Sequence, residues 1–508
     1  MLLANVPPEK GADAPKTTHG HLAMDHLPDF AGSSLKFGTS GLRGLVAELN
    51  GIPAFAYTCA FAEMLKKDGS AAAARNRVLV GRDLRESSPD IARLCGAALR
   101  ESGLVALDCG ALPTPALAYH GMRFGIPAIM VTGSHIPEER NGLKFYRAQG
   151  EIDKADEAAI LAWHAKMNIL RLPEGARTVR SQSPDCDPIA AYRERYLDFF
   201  GTGALAGLTV GVYQHSSVAR DVIVQVLEGL GARAVPLGRA SRFIPVDTEA
   251  LRMEDEALAR TWAAEQALDA IVSTDGDADR PLIADASGTF LRGDLVGAIT
   301  ANDLGADTIV TPVTSNSALE ASGAFETVIR TRVGSPYVIE GMLEATRSGA
   351  RAVVGFEANG GVLLGSDIVR GGRKLTALPT RDAMLPILCA LGQVVRQGRP
   401  LAQLGADFGF KAAASNRLKD IPSEKSAAFL LQLLQDRPFL GRLLLPLGGV
   451  AALDDKDGVR LTARNGEVVH FRASGNAPEL RVYVEAATPE RAEDLLEWGL
   501  AQARQQVA

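Results

Sequence analysis

"GLTVGVYQHSSVARDVIVQVLEGLGA" runs from Gly207 to Ala232. Val210 and Val212 alternate with smaller or polar neighbours, as in a strand. Polar residues then interrupt, and Ser216 or Ser217 stands where a helix N-cap belongs. Val218, Val222, Val226 and Leu230 follow at every fourth position, the buried face of a helix. The stretch reads strand, loop, helix. The same plan recurs in "RNRVLVGRDLRESSPDIARLCGAALRESG" (Arg75–Gly103) and, shortened, in "ADTIVTPVTSNSALEASGAF" (Ala306–Phe325). Strands alternating with helices predict an α/β fold with mixed, mainly parallel sheets, and the repeated plan predicts related domains.

The C-terminal part differs. "GVRLTA", "VVHFRASG" and "LRVYVEA" read as short strands. "ATPERAEDLLEWGLAQARQQV" reads as a helix with Thr488 as N-cap and Pro489 at its first position. A smaller α+β domain is expected from about residue 405. The chain has 508 residues, enough for three or four domains. Its first 32 residues read as a flexible extension without a signal-peptide core. With 46% apolar and 22% charged residues, the composition is that of a globular protein. The net charge of −6 is spread over interspersed acids and bases. No basic block suits nucleic acid, and no apolar run is long enough to span a membrane. Five cysteines without a CxxC pair argue against a disulfide framework or zinc site and fit a cytoplasmic location. Cys95 lies in a helical pattern and reads as core filler.

Parallel sheets present ligands at the carboxyl ends of their strands, so chemistry is expected in the loops there. "VSTDGDADRP" (Val272–Pro281) follows an apolar run and carries Asp275, Asp277 and Asp279. In an extended backbone alternate side chains face one way, about 6–7 Å apart. Three like charges so placed call for a divalent cation, with Mg²⁺ the natural candidate. The bland reading is an acidic surface turn. "FGTSGLRGLV" (Phe37–Val46) offers Gly-rich backbone and Arg43 to an anion. "GFEANGGVLLG" (Gly355–Gly365) places Glu357 and Asn359 to read sugar hydroxyls, although its Asn-Gly pair also reads as a hairpin turn. "FRASGNAPELRVYVEA" (Phe471–Ala486) offers Arg472, Ser474, Gly475, Asn476 and Arg481 as a phosphate cradle, or simply a solvated loop.

"VTGSHIPEERNGLKFY" (Val131–Tyr146) sets Ser134 beside His135. A serine hydrolase would use them as nucleophile and base. Neighbours in an extended chain point apart, however, and the GxSxG elbow is missing. Lys144 is then the expected partner of an anionic group on Ser134.

Taken in order, these five loops resemble the α-D-phosphohexomutase superfamily, as do "VGRDLRESSP" and "DCGALPTPAL". The resemblance runs from about residue 34 to the end. It implies four domains around a central cleft, the first three of related α/β topology: 33–188 with the phosphoserine loop, 189–297 with the metal loop, 298–404 with the sugar loop, and 405–508 with the phosphate loop. It implies a phosphoserine at Ser134, and Mg²⁺ held by that group with Asp275, Asp277 and Asp279. The implied reaction moves phosphate between O1 and O6 of a hexose, with mannose phosphate the preferred reading and glucose or amino-sugar phosphates the alternatives. Arg43, Lys144 and His135 join Ser134 as catalytic candidates. Arg280, Glu357, Asn359, Arg472, Ser474, Gly475, Asn476 and Arg481 are the implied substrate contacts. The partner is a small phosphosugar and the assembly a monomer or homodimer. A metal-dependent phosphatase, a serine hydrolase and a phosphosugar-binding protein without turnover are the competing readings. Three positions depart from the family pattern. Ile136 stands where Asn is common, and Gly361 and Ser335 stand where one branch carries histidines.

Overall fold

A computed structural model describes residues 33–38, 41–178, 184–474 and 478–507. The extension expected over residues 1–32 lies outside them, as do Gly475 and Asn476.

Three sheets follow one another with a shared design. In the first, strand Arg77–Arg82 pairs in parallel with Val105–Ala111 and Ala128–Val131. The chain then turns back, and Arg140–Arg147 pairs antiparallel with Ala128–Val131. In the second, Thr209–His215 lies parallel to Arg233–Arg239 and Ala270–Thr274, and Pro281–Asp285 returns antiparallel. In the third, Thr308–Pro312 lies parallel to Thr327–Thr331 and Val353–Phe356, and Val362–Leu364 returns antiparallel. In each sheet the parallel core thus leads into a hairpin. The three hairpin turns hold Ser134, the aspartates, and Glu357 with Asn359. All three lie at the carboxyl end of a parallel strand, where such folds present their chemistry.

The apolar pattern explains the packing. Val210, Val212, Val222, Val226 and Leu230 are all buried, and they share one apolar cluster with Leu79, Val272, Phe356 and Ile387. The first three sheets therefore pack on a continuous core. Helix Arg220–Gly229 starts later than the serines suggested. Ala219 is its N-cap, and Ser217 Oγ instead accepts the Ala219 N–H at 3.0 Å. Cys95 is buried in helix Ser88–Glu101, as expected.

The fourth large sheet is antiparallel throughout, in the order Ala412–Leu418, Leu480–Ala486, Val468–Ala473, Val459–Ala463, Val450–Asp454. Helix Pro489–Val507 covers it with Leu495 and Leu496, and Thr488 Oγ1 accepts the Arg491 N–H at 3.2 Å. Among the described residues no helix is long and apolar enough to cross a membrane.

Candidate active site

Strand Ala128–Val131 ends in a tight turn that gives Ser134 a positive φ of 55°. A non-glycine residue adopts this only when its surroundings hold it. Here the Ser134 N–H donates to Thr132 Oγ1 at 2.8 Å, and Thr132 donates in turn to Asp83 Oδ2 at 2.8 Å. The buried Arg85 guanidinium binds Asp83 and donates to the carbonyls of Ser134, Ile136, Pro137 and Arg140. Gly133 makes room for it, since a Cβ there would sit 2.7 Å from the guanidinium carbon.

The positive φ overturns the extended-chain expectation for the next side chain. His135 Nδ1 lies 3.2 Å from Ser134 Oγ. It is still no base for that hydroxyl. Ser134 donates its proton to Asp275 Oδ2 at 2.5 Å, while Nδ1 receives an N–H of Arg280 at 3.0 Å. A guanidinium only donates, so the ring nitrogen accepts. Burial, Arg280 and Arg43 push the His135 pKa well below its ordinary value and keep the ring neutral.

The aspartate loop also departs from the extended reading. It is a closed turn: Asp275 N–H donates to Arg280 O at 3.0 Å, and Ala278 has φ 63°. Curvature, not strand alternation, gathers the carboxylates. One oxygen from each of Asp275, Asp277 and Asp279 lies within 4.8 Å of the others. Thr114 Oγ1 donates to Asp277 Oδ2 at 2.6 Å. Lys144, expected to face Ser134, is held by the loop instead. Its ammonium donates to Asp277 and Asp279 at 2.6 Å each, because two carboxylates outbid one hydroxyl for a buried charge. Burial and its two neighbours raise the Asp275 carboxyl well above the ordinary range. Burial would raise Asp279 as well, but Arg381, Lys144 and Arg280 hold it far below. Asp277 Oδ1 and Asp279 Oδ1 are buried without a hydrogen-bond partner. Such a triad can take a metal ion.

Family models described as phosphoglucomutase/phosphomannomutase, alpha/beta/alpha domain I, alpha/beta/alpha domain III and C-terminal domain match residues 34–168, 292–408 and 418–497. A phosphomannomutase of Sinorhizobium fredii (strain NBRC 101917 / NGR234) is 50% identical over 466 residues, covering 92% of this chain and 98% of that one. The chain belongs to the phosphoglucomutase/phosphomannomutase family. A phosphomannomutase of Salmonella muenchen is 41% identical, over 92% of this chain and 95% of that one. The crystal structure of a putative phosphomannomutase from Thermus thermophilus superposes with a TM-score of 0.72 at 25% identity, over 93% and 99% of the two chains.

A cleft of about 780 Å³ lies beside this candidate site. Arg43, His135, Arg280 and Arg381 line it, whereas Ser134, only 1% exposed, lies behind them. Glu357 and Asn359 also line it, as do Arg472, Ser474 and Arg481 from the last sheet. The hairpin and sugar-loop readings of "GFEANGGVLLG" are therefore both compatible with its place in the fold. Burial, then Arg280 and Arg381, lower the Arg43 pKa to about 10. Arg472 Nε donates to Asp457 at 2.9 Å, and Arg481 lies 3.4 Å from Glu479.

Sequence reasoning missed Arg381, the buried cation that joins two of the loops. It pairs with Asp279 at 2.9 Å and Glu357 at 3.2 Å. It also accounts for Gly361. A Cβ at 361 would meet Arg381 Cδ at 2.6 Å, so the guanidinium stem fills the space a side chain would need. Ser335 donates to Glu151 Oε2 at 2.8 Å. Glu249 was missed too. It lines the cleft on a loop tied to the sugar hairpin by Thr248 Oγ1, which donates to Asn359 O at 2.8 Å. The only local signal for Arg381 was an arginine in the strand Leu378–Asp382, which sequence alone does not aim at Asp279.

Proposed function

We propose that this mutase interconverts hexose 1-phosphate and hexose 6-phosphate, with mannose phosphate as substrate, through a phosphoserine at Ser134 and a hexose 1,6-bisphosphate. The observation that carries it is the Ser134 hydroxyl donating to Asp275 within a buried carboxylate triad, behind a cleft rich in arginine. The phosphomannomutases at 50% and 41% identity support mannose. The four large sheets are read as four domains, 33–188, 189–297, 298–404 and 405–508.

Asp275, Asp277 and Asp279 would hold Mg²⁺, as the two buried oxygens without a hydrogen-bond partner, one each on Asp277 and Asp279, fit a hard cation. When bound, the ion offsets negative charge on the transferring phosphoryl group. In the forward step the Ser134 Oγ–P bond breaks as a sugar hydroxyl oxygen bonds phosphorus, and Oγ keeps the electron pair. The hydroxyl proton ends on Ser134 Oγ, and Arg43, a buried cation whose Nε lacks a hydrogen-bond partner, offsets negative charge on the transferring group. His135 positions Arg280 by accepting its N–H. Glu357, set by Arg381, and Asn359 read sugar hydroxyls. Arg472, Ser474 and Arg481, with Gly475 and Asn476, grip the phosphate that is not reacting. A bisphosphate that reorients meets the same anchors in either direction, so these contacts serve both phosphates. Comparing kcat/KM on mannose, glucose and glucosamine phosphates tests the substrate. A higher value for either alternative would overturn the mannose assignment.

A further inference from the structure

All five cysteines are free thiols, yet two of them meet outside the cleft. Cys109 is buried in strand Val105–Ala111, and Cys186 is half-buried just ahead of helix Pro188–Phe200. Their Sγ atoms are 2.8 Å apart, against about 2.05 Å in a disulfide. The backbone fixes this approach. Val105–Ala111 is the edge strand of the first sheet. Asp185 N–H donates to Asp108 O at 2.7 Å, and Asp108 N–H donates to Asp185 Oδ2 at 2.8 Å. The segment bearing Cys186 therefore lies along the sheet edge, with its sulfur aimed at Cys109.

The geometry points to a modification site: a reversible Cys109–Cys186 disulfide, formed with a hydroperoxide as the two-electron oxidant. Cys186 is the reactive partner, being the more exposed of the two. The Cys109 hydrogen bond also lowers its pKa, against burial and the carboxylates of Asp185, Asp108 and Asp187. The Cys186 thiolate attacks one peroxide oxygen, the O–O bond breaks, and the leaving oxygen departs as water after taking a proton. The Cys109 sulfur then displaces the hydroxyl of the Cys186 sulfenic acid, which leaves as a second water with the Cys109 proton. Two thiols and one hydrogen peroxide give one disulfide and two waters.

The bond would fasten the roots of two elements, one leading to the carboxylate cluster and the other to the strand that bears Arg381. Strand Val105–Ala111 leads within three residues to Thr114, which holds Asp277. The helix carries Tyr192 and Tyr196 to Asp382, the neighbour of Arg381.

The full reduced chain treated with hydrogen peroxide, then mapped as peptides without reductant, tests this. The expected result is a Cys109–Cys186 cross-linked peptide, a fall from five free thiols to three, and a higher Tm that dithiothreitol reverses. In Cys109→Ser, Cys186 should stop at the sulfenic acid and be trapped by dimedone. Recovery of both residues as separately alkylated thiols from the peroxide-treated wild type would overturn the proposal.

Discussion

Ser134 Oγ donates to Asp275 Oδ2 at 2.5 Å across 141 residues of chain. Two hairpin turns from different sheets thus face each other, and the hydroxyl enters the triad through one carboxylate. Removing that carboxylate should disturb the serine without unfolding the sheet. Asp275→Asn keeps the turn's shape but supplies an amide for a carboxylate. Turnover is expected to fall to background while circular dichroism is unchanged. Full turnover in this variant would separate Asp275 from the chemistry.

Lys144 compensates Asp277 and Asp279. In Lys144→Met the buried carboxylates lose a cation, a loss of about 3–5 kcal/mol for a broken buried pair. Thermal melts with EDTA should show a clear drop in Tm. Added Mg²⁺ should raise Tm more in the variant than in wild type, because the triad's charge is then less compensated. Equal Mg²⁺ shifts in both would place the ion elsewhere.

Gly361→His is expected to reduce activity and stability together. The new side chain collides with the Arg381 stem, and overpacking of this kind costs about 1–3 kcal/mol. Displacing Arg381 also frees Glu357 and Asp279 from their shared partner. Steady-state kinetics with a urea melt checks both effects. A gain in kcat would mean that a histidine fits here after all.

Arg472→Ala and Arg481→Ala should raise KM for the 1-phosphate and the 6-phosphate alike, by about 10–100-fold for a lost charge-assisted contact. An effect on one substrate only would mean that the last sheet grips a single orientation.

Two buried histidines should make the fold less stable in acid. Burial lowers the pKa of His215 and of His470 from 6.5 to about 4. Between these values the unfolded chain binds protons that the folded chain refuses, so stability rises with pH there and falls on acidification from about 6.5 towards 4. Each histidine contributes at most about 3 kcal/mol. Urea midpoints on either side of the unfolded-state pKa, at about pH 7.5 and about pH 5, measure it, and His470→Gln should flatten the dependence. An unchanged midpoint in wild type would contradict the assignment.

Much of the site could be read locally. Ser134, the aspartates and Glu357 sit in loops whose composition betrays them, and parallel sheets put such loops at strand ends. What stayed hidden depends on distant partners. Arg381 and the Asp83–Arg85 brace show no unusual spacing, because their meaning comes from Asp279, Glu357 and the carbonyls around Ser134. Two local geometries differ from the extended-chain expectation for one reason, while the gathered carboxylates are as expected. Both loops were read as extended, but Ser134 and Ala278 adopt positive φ, which folds His135 towards the serine and draws the carboxylates together.

Phosphate on Ser134 can be looked for directly. Purified chain incubated with mannose 1,6-bisphosphate, digested and analysed by mass spectrometry, should show one phosphoryl group on the Ser134 peptide. That group should disappear on adding mannose 6-phosphate and be absent from Ser134→Ala. Interconversion of mannose 1-phosphate and 6-phosphate by a chain that never carries phosphate on Ser134 would contradict the account.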